Sequence, residues 1–279
     1  MVNQESMAFL QLLSKELTLG QIRLPSFPDA VIQIRDALEQ EDCDINRITE
    51  LASLESVLAS RLMQSANSAF YNATNRTICD LKQAVMRLGL NEVRNMAIAL
   101  AVEQIFIAQE HPAIAKDLAV LWRRSIAMSS VAYVVAGECS KVSPEQAFLC
   151  GLLHEIGKLY MITKATEFPG MRVDMLARSD DPDTWHPQIG RCIVEDWGFD
   201  EVIVQTMEPI EHFKDIAGGD VHLVDVVYGA EIVCSATDET PVDFEHGCLV
   251  KLGIDEERLA HMEPRIGERM QAMMQSLSG

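Results

Sequence analysis

Apolar residues recur at intervals of three and four along most of the chain, which is the spacing of one face of an α-helix. No stretch shows the alternation of β-branched and polar residues that indicates a strand. In the first half the pattern predicts a helix that ends at Gly20, and Asp44 is a candidate cap of a later short helix. The other predicted helical stripes of this half run through Val31–Leu38, Ile45–Leu51, Val57–Ala66, Leu81–Leu88 and Asn91–Ile105.

The second half repeats this pattern. A long helix is predicted from about Ile114 to Ala136, and Ser143-Pro144-Glu145-Gln146 is a start signal with a serine cap, a proline at the first helical position and a capping-box glutamine. Later helices are predicted at Pro187–Trp197, Asp200–Phe213, Val221–Ser235 and Asp255–Met274. His111-Pro112 interrupts the helical pattern. The sequence thus predicts an all-α protein with two helical lobes, residues 1–112 and 113–279.

The charge balance is strongly acidic: 42 Asp and Glu residues oppose 23 Lys and Arg residues, for a formal net charge of -19. Binding to a nucleic-acid backbone requires clustered basic side chains that displace counterions, so we expect no nucleic-acid partner. The same charge disfavours docking on anionic lipid. The hydrophobic fraction of 48% is ordinary for a globular protein.

The seven cysteines are scattered and none forms a CxxC pair, so a zinc site built on thiolates is not expected. The first residues lack the basic and apolar regions of a signal peptide. The most apolar stretches, such as Met96–Val102 and Ser130–Ala136, are too short to span a bilayer. We therefore expect a reduced, cytoplasmic protein without membrane insertion.

The string His154-Glu155-Ile156-Gly157-Lys158 carries the candidate chemistry. Neutral imidazoles and carboxylate oxygens together bind divalent ions, which activate water and clamp phosphate. Adjacent residues of a helix point about 100° apart, so a site built on His154 and Glu155 needs ligands from other helices.

This string resembles the His-Asp pair of metal-dependent phosphohydrolases of the HD superfamily. Further strings, in the same order over Leu24 to Phe213, resemble the HDOD family: Leu24–Pro28, Ala66–Tyr71, Ala84–Leu90, Trp122–Ser125 and Ala147–His154. The resemblance implies an all-α fold with an N-terminal helical lobe and an HD-like lobe. It also implies a non-enzymatic role in bacterial signal transduction, here as a stand-alone member without a fused receiver or cyclic-dinucleotide domain.

Compared with metal-binding HD relatives, the site is altered. Arg124 stands where the resemblance places the first histidine ligand, and an arginine stays protonated and repels a dication. Glu155 replaces the aspartate of the pair. His186 and His212 resemble later histidines of HD-GYP phosphodiesterases, and Asp225 resembles the final aspartate. We therefore expect no catalytic residue, metal or cofactor, but a vestigial pocket formed by Arg124, His154, Glu155, His186, His212 and Asp225.

Two interpretations of Arg124 remain open. In the preferred one, Arg124 pairs with Glu155, Asp225 or both in a buried ion cluster that replaces the metal; in the other it points to solvent. His154 is expected to bond a carbonyl or carboxylate as a packed histidine. His186 and His212 are more simply capping or surface residues.

Three functions compete. The favoured hypothesis is a non-catalytic regulator that acts through a protein partner. The second is a metal-dependent phosphohydrolase acting on a nucleotide or cyclic dinucleotide through His154, Glu155, His186, His212 and Asp225. The third is a nucleotide sensor, but the sequence contains no glycine-rich phosphate loop.

Overall fold

The structure is a computed structural model. It describes residues 4–24, 29–38, 40, 43–72, 76–109, 112–168, 185–208, 219–237 and 240–277. Within these ranges the chain forms helices and turns but no strand, which confirms the predicted all-α class. Pro25–Pro28 and His212 lie outside the described residues.

The helices have the following bounds in chain order: α1 (Gln4–Thr18), α2 (Asp29–Leu38), α3 (Ile45–Ser53), α4 (Ser56–Asn67), α5 (Leu81–Leu88), α6 (Leu90–Ala108), α7 (Ala115–Cys139), α8 (Pro144–Leu153), α9 (Ile156–Ala165), α10 (His186–Asp196), α11 (Glu201–Val204), α12 (Leu223–Ser235), α13 (Gly247–Leu252) and α14 (Glu256–Leu277). The helix predicted over Asp200–Phe213 is shorter, because α11 passes into a 3₁₀ turn at Gln205–Met207. Residues 209–218 lie outside the described part of the chain.

The helix starts follow the capping chemistry of the sequence. The Asp44 carboxylate accepts the backbone N–H of Asn46 ahead of α3, and the Asp80 carboxylate accepts that of Gln83 at α5. At α8 the Ser143 hydroxyl accepts the Gln146 N–H at 3.2 Å, with Pro144 in the first turn. These side chains satisfy backbone donors that have no partner inside the helix.

Two compact units divide the chain, and each combines distant parts of the sequence. Unit 1 contains Met1–Pro25 and Ile105–Ala260, and unit 2 contains Ser26–Gln104 and His261–Gly279. Both units take in segments from the two sides of the boundary predicted at His111-Pro112. His111 itself lies outside the described residues, so the lobes 1–112 and 113–279 stay a prediction.

The core of unit 1 is the packing of α7 against α8 and α12. A Cβ atom on Gly151 would lie 2.8 Å from the Ser129 Cα, so this glycine lets the backbones of α8 and α7 approach closely. Helix α7 is long and apolar enough to cross a membrane by length and composition, and 61% of its most apolar window is buried inside the protein. Such burial is the ordinary state of a core helix.

Unit 2 is held partly by a buried arginine. Arg269 of α14 is fully buried, and its Nη2 donates to both oxygens of Glu92 at 2.9 and 3.0 Å. Its Nη1 donates to the Tyr71 hydroxyl, and its guanidinium lies 5.4 Å from the centre of the Phe70 ring.

In the same unit, the Asn67 amide closes the loop after α4 with two hydrogen bonds of 2.8 Å to the backbone of Ile78. Residues of the Asn-Ser-Ala-Phe-Tyr string therefore stabilise unit 2 through these contacts.

Candidate functional site

The candidate site of unit 1 begins at the junction of α8 and α9. Helix α8 ends at Leu153, and Glu155 precedes the first residue of α9. A Cβ atom on Gly157 would lie 1.9 Å from the carbonyl oxygen of His186, so only glycine permits α9 to lie this close to the start of α10. This approach brings His186 towards the His154-Glu155 pair.

The predicted ion pair between Arg124 and Glu155 is present. Arg124 Nε donates to the two carboxylate oxygens of Glu155 at 2.9 and 2.8 Å. The rest of the guanidinium turns to the C-terminal end of α12, where Nη1 donates to the Cys234 carbonyl at 3.1 Å and Nη2 to the Ser235 hydroxyl at 2.8 Å. A cation at a helix C-terminus is favourable, and only the planar, branched donor set of arginine reaches all three partners.

Lys158 is a second cation on the same carboxylate. Its Nζ lies 2.6 Å from Glu155 Oε1, and Lys158 and Glu155 are 3% and 1% exposed. Burial alone would raise the pKa of Glu155, but the Lys158 ammonium and the Arg124 guanidinium hold it below its usual range. Glu155 is therefore an ionised carboxylate neutralised by two fixed cations.

His154 bonds both a carbonyl and a carboxylate, as the packed-histidine interpretation predicted. Its Nδ1 lies 3.0 Å from the Thr206 carbonyl oxygen and its Nε2 lies 3.2 Å from Glu231 Oε2. Burial opposes protonation of the ring, but the Glu231 and Glu155 carboxylates and the Thr206 carbonyl together raise the pKa of His154. Burial likewise disfavours the Glu231 anion, but His154 lowers the pKa of Glu231 to about 2. His154 and Glu231 form a partly buried ion pair.

His186 has a different environment. Its ring is buried, and its Nδ1 has no hydrogen-bond partner among the described residues. Burial, followed by the charges of Lys158 and His154, lowers the pKa of His186 to about 3. His186 is therefore a neutral imidazole, and the prediction that it is a capping or surface residue is wrong, because it lies at the buried first turn of α10.

Asp225 does not pair with Arg124. Its Oδ2 lies 2.8 Å from Lys251 Nζ and accepts the His222 backbone N–H at 2.7 Å. The carboxylate that contacts His154 instead belongs to Glu231, six residues further along α12. Of the residues predicted for the pocket, the structure brings together Arg124, His154, Glu155 and His186, whereas His212 lies outside the described residues.

The described residues of this pocket do not fit a divalent metal ion. Glu155 has the position of a ligand carboxylate, but its two oxygens already accept charged donors from Arg124 and Lys158. A dication at these oxygens would stand beside two fixed positive charges. Within the described residues no group of three or more His, Cys, Asp or Glu side chains is arranged to hold a metal.

Sequence reasoning missed two residues of this site. Lys158 stands in the quoted His154–Lys158 string, and its spacing of three from Glu155 on a helix was an available signal of an ion pair. Glu231 carries no local motif; it is recognised only when the packing of α12 against α7 and α8 is known.

The fold and the site define a class: an all-α protein with a histidine-carboxylate pair at a helix junction. The HDOD domain family matches residues 24–213, more than half of the chain, and the protein therefore belongs to that family. This confirms the resemblance found in the sequence.

Solved structures share the fold over nearly the whole chain. A "Putative metal-dependent phosphohydrolase" from Shewanella amazonensis SB2B superposes with a TM-score of 0.78 at 22% identity, covering 98% of this chain and 99% of its own. An HDOD domain protein with unknown function from Geobacter sulfurreducens gives a TM-score of 0.67 at 23% identity, covering 95% and 99%. These identities show a shared fold and do not carry a shared activity.

A curated relative is an uncharacterized protein of Treponema pallidum, 23% identical over 198 residues. The match covers 66% of this chain and 37% of the relative. This chain therefore spans little more than a third of the curated relative it matches.

Proposed function

We propose that this protein is a non-catalytic regulator in bacterial signal transduction that acts by binding a protein partner. The observation that supports this proposal is the state of Glu155, whose oxygens accept three hydrogen bonds from Arg124 and Lys158. A carboxylate neutralised in this way does not hold a dication, so the metal-ligand role that HD-type hydrolysis requires of such a residue is lost.

The structural neighbours are consistent with either activity. One, from Marinobacter aquaeolei VT8, is a "Putative signal transduction protein" with a TM-score of 0.60 at 20% identity, covering 96% of this chain and 61% of its own. The Shewanella amazonensis neighbour instead bears a phosphohydrolase name. The side chains of this pocket, rather than the fold, favour the regulatory role.

A hydrolysis assay tests the proposal. The purified protein is incubated with Mn²⁺ and, in separate reactions, bis(p-nitrophenyl) phosphate, a nucleoside triphosphate and a cyclic dinucleotide. We expect no turnover above that of the His154→Ala variant, which removes the one imidazole of the His154-Glu231 pair. Metal-dependent turnover by the wild type that His154→Ala abolishes would establish the alternative, a metal-dependent phosphohydrolase acting on a nucleotide or cyclic dinucleotide.

The proposal has a second consequence for partner binding. Because no metal takes part, EDTA added to a cell lysate before chemical cross-linking should leave the binding of a partner unchanged, as measured by mass spectrometry of the purified complex. We further propose that the protein is cytoplasmic and that its partner is a protein rather than a nucleic acid, since the acidic charge of -19 disfavours a nucleic-acid backbone. Loss of the cross-linked complex in EDTA would contradict the metal-free role.

A further inference from the structure

Two cations contact Glu155, and they come from different elements. Arg124 reaches the carboxylate from α7, and Lys158 reaches it from the first turn of α9, three residues after Glu155 itself. The side chain of Lys158 is 4% exposed and that of Arg124 is 23% exposed. Lys158 is therefore the more deeply buried of the two charges.

Lys158 also acts on the rest of the pocket. Burial raises the pKa of Glu231; against this effect His154 lowers it most, then His186, and the Lys158 ammonium adds a smaller contribution. Lys158 is the first charge after burial that lowers the pKa of His186. It therefore lies within electrostatic reach of Glu155, Glu231 and His186, the groups that a metal ion in this pocket would have to share.

We propose that Lys158 is an independent block to metal binding, so that Arg124 and Lys158 together replace the double positive charge of a divalent ion on Glu155. This inference rests on the proposed non-catalytic function and deepens it. It also sets the expectation for Arg124→His: restoring an imidazole at this one position is not enough, because Lys158 still neutralises Glu155 and repels the ion. Both cations must be removed before His154, Glu155 and Glu231 become available.

The test is the binding of Mn²⁺ alone, measured from the electron paramagnetic resonance signal of the free ion in a titration of each purified variant. We expect the wild type, Arg124→His and Lys158→Met to take up no stoichiometric Mn²⁺. The double variant Arg124→His/Lys158→Met should bind one ion per chain, at least about 10-fold more tightly than either single variant. Added Mn²⁺ should also raise the melting temperature of this variant only.

A matched control is available on the same helix. Lys164 of α9 pairs with Glu16 and Glu167 rather than with Glu155. Arg124→His/Lys164→Met makes the same change of charge and should bind no Mn²⁺. Equal binding by this control would mean that overall charge, and not Lys158, decides the outcome.

Three other outcomes overturn the inference. Stoichiometric Mn²⁺ on the wild type would defeat the proposed function itself. Binding by Arg124→His alone would leave that function standing but would show that Lys158 is no block. A double variant with a native helical circular dichroism spectrum that still binds no Mn²⁺ would show that geometry, not charge, excludes the ion.

If the double variant does not fold, a melting experiment still tests the charge relationship. Glu155→Gln should leave Arg124 and Lys158 without a counter-charge and lower the melting temperature. Glu155→Gln/Lys158→Met should recover part of that loss, because one of the two unpaired charges is removed. No recovery would show that Lys158 does not act on Glu155 as a charge, and the inference would fail.

Discussion

The Lys251 ammonium of α13 lies 2.8 Å from the Asp225 carboxylate of α12, and both side chains are almost fully buried. The same carboxylate oxygen accepts the backbone N–H of His222, the residue that precedes α12. Asp225 therefore closes the first turn of α12 and ties this helix to α13. Its partners are structural, which explains why it takes no part in the Arg124 cluster.

Removal of Lys251 should leave the buried Asp225 carboxylate without a counter-charge. We expect Lys251→Met to lower the free energy of unfolding of the protein by about 3–5 kcal/mol, the usual cost of breaking a buried ion pair from one side. Urea denaturation followed by circular dichroism measures the change. The double variant Lys251→Met/Asp225→Asn should be more stable than Lys251→Met, because the amide carries no charge; a double variant as unstable as the single one would argue against the pair.

Arg124 should contribute to stability through Glu155 and the end of α12. We expect Arg124→Ala to cost about 1.5–3 kcal/mol, the range of hydrogen bonds to charged groups, because Lys158 remains to neutralise Glu155. Thermal melting measures this, with Arg123→Ala as the control, since its neighbour Arg123 is exposed on the same helix. Equal melting temperatures for the two variants would mean that the Arg124–Glu155 pair adds nothing.

His186 should make the protein sensitive to mild acid. Its pKa falls from 6.5 in the unfolded chain to about 3 in the folded protein, so between these values the unfolded chain binds a proton that the folded protein does not. The free energy of unfolding should therefore fall by about 1.4 kcal/mol per pH unit below pH 6.5, or roughly 2–3 kcal/mol by pH 4.5.

The other titratable groups described in this site do not change the free energy of unfolding between pH 6.5 and pH 4.5. His154 has a raised pKa, so its stabilisation is complete once the pH is below 6.5. Glu155 and Glu231 have lowered pKa values, and their stabilisation is lost only below about 4.5. Urea denaturation at several pH values should show a flatter profile for His186→Gln than for the wild type or for the exposed control His261→Gln; parallel profiles would refute the assignment.

Gly157 and Gly267 form a matched pair of helical glycines. A methyl group on Gly157 meets the His186 carbonyl oxygen, whereas nothing lies within 4 Å of the corresponding atom at Gly267 in α14. We expect Gly157→Ala to lower the melting temperature sharply, since α9 and α10 must separate, and Gly267→Ala to add up to about 1 kcal/mol of stability. The reverse order would contradict the close approach of the two helices.

Local signals predicted the helices well because their causes are local. Ser143-Pro144 starts α8 by capping and by a preset backbone angle, and the apolar stripe from Ile114 matches α7. The helix predicted over Asp200–Phe213 was wrong in extent, because Thr206 lies in a 3₁₀ turn whose carbonyl meets His154. That tertiary contact has no signature in the sequence.

For the same reason, only part of the site could be predicted from the sequence. Arg124 and Glu155 could be paired because the family resemblance placed both in one pocket. Glu231 could not be found in this way, since Asp225 offered a carboxylate of the expected type on the same helix and only the packing of α12 distinguishes the two. A single sequence predicts which side chains share a helix. It predicts far less well which side chains from different helices meet in one site.

The buried pair of Arg269 and Glu92 has a consequence for how the chain matures during its synthesis. The two residues are 177 positions apart, and all of Ile105–Ala260 is translated between them. Because the ribosome delivers the chain from its N-terminus, Glu92 emerges long before the guanidinium that neutralises it. Unit 2 is thus completed only after all of unit 1 has been translated, and its interior can close only when α14 leaves the ribosome.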